Sequence, residues 1–312
     1  MVKIRNYREA DFTSLNTLYA GAEENSLWEP LGRARQLDMI LRRPHYRPES
    51  DLFVAETGDL NLVGYADVIR EVRIGRVVMD VYVAPRSRRQ GIGSRLVEKA
   101  VYRSASLGAG IVHTFVDRSR RGSRAFLKRA RFQPVRRYLV LERPAEAGPE
   151  ELRPDNNGGG LGELRLKALQ DGDEARLAEI QNESFAGSWG FCPNTPEEIR
   201  FFLELMGTRI QDVLVLWDGN EAVGYLWPQV VDRKGQKAGK HGWIHMVGVR
   251  PDFRGRGWGK LLIEVGLKVF REQGVESVEL TVDEMNRTAV NLYTALGFRT
   301  KTHKLWYEYV LL

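Results

Sequence analysis

The chain reads Val247-Gly-Val-Arg-Pro-Asp-Phe-Arg-Gly-Arg-Gly-Trp-Gly-Lys260 where a β-type run stops at a proline and a helix starts after a basic, glycine-rich turn. Glycine lacks a Cβ atom, so the backbone of this turn can tighten and aim several N–H groups at one anion. The first turn of the following helix adds unpaired N–H groups and a favourable dipole. The turn therefore predicts a binding site for a pyrophosphate.

Two other glycine-rich motifs fit this turn less well. In a P-loop the Gly-Lys pair is followed by a Ser or Thr that holds magnesium, whereas Leu261 follows Lys260 here. A Rossmann fingerprint has the spacing G-x-G-x-x-G, and position 260 carries neither Gly nor Ala. We therefore expect neither of these nucleotide sites, and no metal.

The turn resembles the acetyl-CoA loop of the GNAT superfamily of N-acetyltransferases, Arg/Gln-x-x-Gly-x-Gly, through Arg254, Gly257 and Gly259. The stretch Glu284-x-Asn286-x-x-Ala289-x-x-x-Tyr293-x-x-x-Gly297-Phe298 is similar to the second signature of the family. The resemblance implies acetyl-CoA as cosubstrate and an amine as acceptor. It also implies these coenzyme contacts in the second half of the chain: Val247, Val249, Arg254, Gly255, Arg256, Gly257, Trp258, Gly259, Lys260 and Asn286.

A duplication relates the two halves of the chain. Five landmarks of the first half recur 166 residues later: Pro85 and Pro251, Gly91 and Gly257, Gly93 and Gly259, Asp117 and Asp283, Phe132 and Phe298. A constant offset without insertion or deletion indicates that one architecture is written twice. The first half then repeats the coenzyme loop, with Val83, Arg88, Arg89, Gly91, Ile92, Gly93 and Ser94 as the expected contacts.

The first copy lacks the groups that could carry chemistry. At the same offset Tyr293 corresponds to Leu127, Asn286 to Arg120 and His245 to Met79. We expect a mixed α/β (α+β) fold of two tandem GNAT domains, each a twisted, mostly antiparallel sheet flanked by helices. The domains should span residues 1–142 and 163–312, with a glycine-rich linker at 143–162 and a catalytically degenerate first domain. This arrangement is similar to the tandem mycothiol synthases of the superfamily.

Composition excludes some classes and leaves others open. The chain has 312 residues, a single cysteine and no long uncharged apolar run, so we expect a cytoplasmic protein without a membrane span. The net charge of +6 suits polyanionic ligands, which include CoA and nucleic acid. The basic cluster from Arg118 to Arg131 contains a single aromatic residue, Phe126, and not the repeated aromatic residues typical of RNA platforms, which disfavours nucleic acid. The oligomeric state stays open.

The resemblance implies a general acid at Tyr293, which would protonate the departing CoA thiolate. Asn286 lies seven residues earlier, so a helix would place both side chains within ~20° of one face. The family often has a glutamate base at the position of Trp243. Alternation along a strand would put positions 243, 245, 247 and 249 on one face, so His245 is a candidate base.

Other features of the mechanism are open at this stage. Glu279, Asp283 and water are alternative bases. The main chain at Val247 or Gly248 should stabilise the oxyanion, and Gly248 is consistent with a bulge that splays the strand. The preferred function is direct acetyl transfer to a small-molecule amine. A protein N-terminal or lysine acetyltransferase and a non-catalytic acetyl-CoA-responsive binding protein are the alternatives.

Overall fold

A computed structural model describes residues 2–22, 36–146, 164–233 and 239–311. The strands in these residues are β1 (Lys3–Asn6), β2 (Leu52–Glu56), β3 (Leu62–Glu71), β4 (Arg76–Val83), β5 (Ile111–Asp117), β6 (Gln133–Pro144), β7 (Leu164–Ala168), β8 (Leu214–Asp218), β9 (Glu221–Arg233), β10 (Gly239–Val249), β11 (Ser277–Asp283) and β12 (Arg299–Val310). The α-helices are α1 (Phe12–Gly21), α2 (Gln36–Leu41), α3 (Pro48–Asp51), α4 (Ile92–Ser106), α5 (Arg121–Arg129), α6 (Glu174–Phe185), α7 (Pro196–Met206), α8 (Trp258–Glu272) and α9 (Arg287–Ala295).

The chain forms two compact units, one of Met1–Arg137 with Lys304–Leu312 and one of Tyr138–His303. In the first unit the strands follow the order β1-β2-β3-β4-β5-β12, and in the second β7-β8-β9-β10-β11-β6. All neighbours in each order run antiparallel except one central pair, β4 with β5 and β10 with β11. The predicted fold class is therefore confirmed.

Each parallel pair is joined by a long helix, since parallel neighbours need a crossover. In the first unit this helix is α4, whose Leu96, Val97 and Ala100 are buried against the sheet. In the second unit it is α8, whose Leu262, Ile263 and Phe270 fill the corresponding core. In both helices the buried apolar residues recur every three to four positions, which is the spacing of one helix face.

The terminal strands are exchanged between the two copies. Residues 304–310 of β12 pair with β5 in the first unit, and residues 138–144 of β6 pair with β11 in the second. The expected boundary after residue 142 therefore does not separate two self-contained units. Exchange is possible because duplicated copies offer equivalent strand edges, so either last strand fits either edge. Most of the expected linker, residues 147–162, lies outside the described residues.

Left-handed backbone positions support the duplication independently. Gly91 and Gly257 have φ angles of 75° and 80°, and Gly108 and Gly274 have φ angles of 74° and 70°. Two further pairs combine a glycine with an arginine: Gly255 (φ 79°) with Arg89 (φ 64°), and Gly297 (φ 85°) with Arg131 (φ 67°). Arginine rarely adopts this conformation. The positive φ angles of Arg89 and Arg131 therefore indicate that the first copy has the same backbone path as the second copy, which has glycine at both positions.

The sequence favours a helix from Asp11 to Ala20 with Asp11 as its cap, and it indicates no helix directly before β2; the structure differs at both places. The Asp11 side chain does not cap α1; its carboxylate accepts hydrogen bonds from the Arg8 backbone and from Arg5 at 2.8 and 2.6 Å. The short helix α3 before β2 was not expected, although Pro48 at its first position favours a helix start.

Candidate active site

The candidate site of the second unit lies where β10 leaves its parallel neighbour. β10 pairs with β11 from His241 and Ser277 to Ile244 and Leu280, and β10 then continues to Val249 beside β9 alone. The two strands therefore separate along the last five residues of β10. Such an opening exposes main-chain groups of β10 to a slender ligand.

A bulge interrupts β10 at the start of this opening. Its register with β9 shifts between Ile244 and Met246, so the bulge is at His245. The sequence suggested a bulge at Gly248, and that position is wrong. Beyond the bulge, Val247 and Val249 pack on the α8 side, whereas Met246 packs with the cluster on α6 and α7. The predicted common face of positions 243, 245, 247 and 249 is therefore wrong, because a bulge breaks strand alternation.

The glycine-rich loop connects the open end of β10 to α8. Gly255 and Gly257 have φ angles of 79° and 80°, and an added Cβ atom would meet no atom within 4 Å at either residue. α8 begins at Trp258, so its first-turn N–H groups are at the open side of the loop. This geometry is that of an anion cradle.

Arg254 braces the cradle from within. Its Nε donates to Val249 O at 3.1 Å and its Nη2 donates to Ser184 O at 2.7 Å. The side chain therefore ties the loop to the end of α6, a use that the sequence did not predict. The equivalent Arg88 repeats the first of these bonds, with Nε donating to Val83 O at 2.9 Å.

The other two cations of the loop have weaker contacts. The Arg256 guanidinium lies 5.1 Å from the centroid of the Trp258 ring and 3.8 Å from Asp218. The Lys260 ammonium lies 4.0 Å from Glu264. Both are loose ion pairs at the protein surface, which cost little to rearrange around a phosphate.

Tyr293 is a buried residue of α9 and lies among the apolar residues of the α8 side. Its ring meets the Phe298 ring edge-on, with centroids 6.0 Å apart. Burial raises the pKa of the phenol to about 12. The phenol is therefore protonated at neutral pH, which is the state that a proton donor requires.

Asn286 is not on the helix with Tyr293. It is the residue before α9, and its Oδ1 accepts the Ala289 N–H at 3.2 Å as a helix cap. Asn286 is exposed whereas Tyr293 is buried. The predicted alignment of the two side chains on one helical face is therefore wrong, because position 286 has non-helical backbone angles.

His245 is half-buried and faces Gln229 on β9. Its Nε2 lies 2.6 Å from Gln229 Oε1, and Gln229 Nε2 donates to Met206 O. Since Gln229 Oε1 can only accept, Nε2 of His245 carries the proton and Nδ1 carries the lone pair. Burial lowers the pKa of His245 to about 4, so the imidazole is neutral near pH 7.

The position of the family glutamate is filled by Trp243, whose ring lies 5.3 Å from His241. Glu279 is paired with Trp243 in the sheet, but its Oε2 accepts a hydrogen bond from Lys301 at 2.6 Å. Asp283 accepts the Met285 N–H at 3.0 Å. The structure therefore brings His245 and Trp243 to one face and holds the two acidic alternatives in other contacts.

The first unit has the same loop but a filled opposite face. Val83, Arg89, Gly91, Gly93 and Ser94 form its loop region, and Ile92 is buried beneath them. Tyr82 takes the position of Gly248, and its hydroxyl donates to Gly21 O at 3.0 Å. Leu127, the counterpart of Tyr293, is buried in the core and offers no proton.

Sequence reasoning missed two residues of the α6 side, Ser184 and Tyr225. An added Cβ atom at Gly248 would lie 2.7 Å from Ser184 Cβ and 2.9 Å from Tyr225 Cε1. Tyr225 could have been found from the hairpin, because it is the partner of Gly248 in the register of β9 and β10. Ser184 carries no such local signal.

The fold and the loop define a class of protein, the acetyl-CoA-dependent N-acetyltransferases. A model of the acetyltransferase (GNAT) family matches residues 11–132 and again residues 175–298, so the chain belongs to this family. Among the described residues, no helix has both the length and the apolar character needed to cross a membrane.

Relatives of known name cover most of the chain. The mycothiol acetyltransferase of Catenulispora acidiphila is 26% identical over 315 residues, which is 98% of this chain and 97% of the relative. That of Tsukamurella paurometabola is 31% identical over 252 residues, 75% of this chain and 79% of the relative.

Solved structures share the tandem fold. A GCN5-related N-acetyltransferase from Sphaerobacter thermophilus has a TM-score of 0.69 at 23% identity and covers 99% of this chain and 95% of its own. A tandem GNAT protein from the clavulanic acid biosynthesis pathway has a TM-score of 0.66 at 16% identity, with coverage of 99% and 98%.

Proposed function

We propose that the second unit transfers the acetyl group of acetyl-CoA directly to a primary amine of a small molecule, with Tyr293 as general acid. The observation that carries this proposal is the opening between β10 and β11, which begins after Ile244 and ends at the Gly255–Gly257 cradle. With its pyrophosphate bound at Gly255–Gly257, the coenzyme would place its pantetheine arm beside Val247 and Val249. A protonated phenol would then be available for the thiolate.

The reaction needs a neutral amine, a polarised carbonyl and a proton for the leaving group. The main chain of Val247 or Gly248, on the open part of β10, would polarise the carbonyl. Tyr293 would give its proton to the CoA sulfur as the C–S bond breaks. His245, through Nδ1 or a water molecule, would accept the proton of the attacking amine.

The relatives favour a small-molecule acceptor over a peptide, because mycothiol acetyltransferases match 98% and 75% of this chain. Trp243 in place of the family glutamate indicates that the acceptor or its base differs in detail. The acceptor is therefore proposed as a class, a primary amine of a small polar molecule.

The first unit is proposed to bind acetyl-CoA without chemistry. Its loop keeps the Arg88 brace and the left-handed angles of Arg89 and Gly91. However, Leu127 cannot donate a proton and Tyr82 fills the face opposite the loop. Domain limits of 1–142 and 163–312 are kept as a proposal for the two ancestral copies.

Turnover assays test the function. The purified chain is incubated with acetyl-CoA and a panel of small amines, N-terminal peptides and lysine peptides, and free CoA and acetylated product are measured together. Product with small amines supports the proposal, and product with peptides alone would move the acceptor to the protein class. Binding of acetyl-CoA without product from any acceptor would contradict it.

A further inference from the structure

Three buried polar groups on the α6 side of the second unit have no hydrogen-bond partner among the described residues: Ser184 Oγ, Tyr225 OH and Trp227 Nε1. Tyr225 is 0% exposed, and Ser184 and Trp227 are 4% and 3% exposed. A buried donor without a partner loses its hydrogen bond to water and gains none in the protein, so such groups are rare in native proteins. Ser184 and Tyr225 both lie against Gly248, so their hydroxyls are available to a ligand at that point.

The first unit shows the same scaffold with the equivalent phenol hydrogen-bonded. Tyr65 is the counterpart of Tyr225, since each is the sheet partner of the equivalent position, Tyr82 or Gly248. The Tyr65 hydroxyl donates to Asp80 at 3.1 Å, and Met246 stands where Asp80 would be. The second unit has therefore lost the acceptor for this phenol and has kept the phenol.

Gly248 determines where the Tyr225 ring lies. Ring atom Cε1 would be 2.9 Å from a Cβ atom at residue 248, so the ring lies over β10 at a residue that has no side chain. In the first unit Tyr82 fills this space and packs on Tyr65, with ring centroids 5.9 Å apart. The glycine thus lets Tyr225 lean across β10, toward the strand opening.

Tyr225 is also within electrostatic range of the proposed acid. Burial raises the pKa of Tyr225 well above its usual range, a hydrogen-bonding interaction with the Gln181 side chain opposes this rise, and a charge on Tyr293 raises the pKa further. The Gln181 amide faces the phenol and is shared with other groups, since its Nε2 donates to Met246 Sδ at 2.8 Å and its Oε1 accepts from Asn194 at 2.5 Å. The phenol therefore stays protonated, and the amide oxygen that it faces already accepts a hydrogen bond from Asn194.

We propose that the Tyr225 hydroxyl donates a hydrogen bond to the thioester carbonyl oxygen during acetyl transfer, with the Ser184 hydroxyl beside it. This inference rests on the function proposed above. As the amine nitrogen bonds to the carbonyl carbon, the carbonyl electron pair moves to oxygen, and Tyr225 stabilises this oxyanion without losing its proton. When the carbonyl re-forms, the C–S bond breaks and the sulfur takes the proton of Tyr293.

The test is Tyr225→Phe, which keeps the ring and removes the hydroxyl. We expect kcat to fall by roughly 10²–10³, the range for loss of one oxyanion donor. The KM for acetyl-CoA should change by less than about twofold, because the bond strengthens only as charge develops. The thermal unfolding midpoint should not fall, since the hydroxyl has no partner in the free protein.

Tyr65→Phe is the matched control. It removes a phenol of the same scaffold position that does have a partner, Asp80, so its unfolding midpoint should fall while kcat is unchanged. If Tyr225→Phe lowers the midpoint as much as Tyr65→Phe does, or fails to fold, the Tyr225 hydroxyl is structural and the proposal is overturned. An unchanged kcat in Tyr225→Phe overturns it as well.

Tyr293→Phe, assayed in parallel, separates this inference from the function on which it rests. A loss of kcat in Tyr293→Phe together with an unchanged kcat in Tyr225→Phe removes Tyr225 alone from the mechanism. A wild-type chain that acetylates no amine removes both. A loss of kcat in both variants, with the KM for acetyl-CoA preserved, supports both.

Discussion

Gly248 lies directly against the ring of Tyr225, and a Cβ atom on the glycine would be 2.9 Å from ring atom Cε1. The same hypothetical atom would be 2.7 Å from Cβ of Ser184 on α6. The equivalent residue of the first unit is Tyr82, whose hydroxyl is bonded to Gly21. The two units therefore differ at this position. Tyr82 fills the space in the first unit, whereas Gly248 leaves the Ser184 and Tyr225 hydroxyls of the second unit without a partner in that space.

Gly248→Ala should destabilise the protein. The added methyl group meets a ring and the Cβ atom of a helical residue, neither of which is the free end of a flexible side chain. Overpacking of this kind costs about 1–3 kcal/mol in the free energy of unfolding. Denaturant unfolding measures it, with Gly58→Ala as the control, because nothing lies within 4 Å of a Cβ atom at Gly58. Equal stability of the two variants would contradict the close contact.

Tyr293→Phe should lower kcat by roughly 10²–10⁴, the usual contribution of a positioned general acid. Its affinity for acetyl-CoA should be retained, because the phenol acts on the sulfur during bond cleavage and not on the bound pyrophosphate. Steady-state kinetics and calorimetry measure the two quantities. Tyr102→Phe, at a residue that is 76% exposed in the first unit, serves as the control. A kcat equal to that of wild type would exclude Tyr293 as the acid.

The pH dependence of stability should carry a contribution from His245. Burial lowers its pKa to about 4, whereas an unfolded histidine titrates near ~6.5. Between these values the unfolded chain binds more protons than the folded chain, so stability is full above pH ~6.5 and falls as the pH drops toward 4. The loss should be roughly 1–3 kcal/mol.

His245→Gln should reduce this slope when unfolding free energies are compared at pH 7 and pH 5. The pKa of His113 in the first unit is also lowered by burial, so a residual slope of the same sign is expected in both proteins. If His245 is the base, its limb in kcat/KM should lie near pH 4 and not near neutrality. A limb near neutrality that His245→Gln abolishes would contradict the lowered pKa.

Acetyl-CoA should bind at two sites per chain. Gly257 has a φ angle of 80° and Gly91 one of 75°, so a β-branched residue at either position strains the backbone by ~1–2 kcal/mol and covers the cradle. Calorimetry of Gly257→Val and of Gly91→Val should each show one site in place of two. A single site in the wild type, lost with Gly257→Val, would show that the first cradle does not bind the coenzyme.

Much of the fold follows from local signals. The glycine spacing at 255, 257 and 259 predicted the turn between β10 and α8. The constant offset of 166 residues predicted that the elements from α4 to β6 recur as the elements from α8 to β12. The sequence placed His245 on the same face as Trp243 by assuming strict alternation along β10. Strict alternation would also place Val247 and Val249 on that face, but both pack on the α8 side. A bulge depends on the pairing of β10 with β9, which sequence alternation does not encode.

The sequence by itself determined the class of the protein, the duplication, the coenzyme loop and the asymmetry between Tyr293 and Leu127. These features depend on residue type and spacing along the chain, because a tight turn needs glycine and a helix repeats its faces regularly. Only the tertiary structure decided the exchange of β6 and β12, the bond from Arg254 to Ser184 and the position of Tyr225 over Gly248. Each of these joins atoms that are far apart in sequence, so packing and hydrogen bonding across elements determine them.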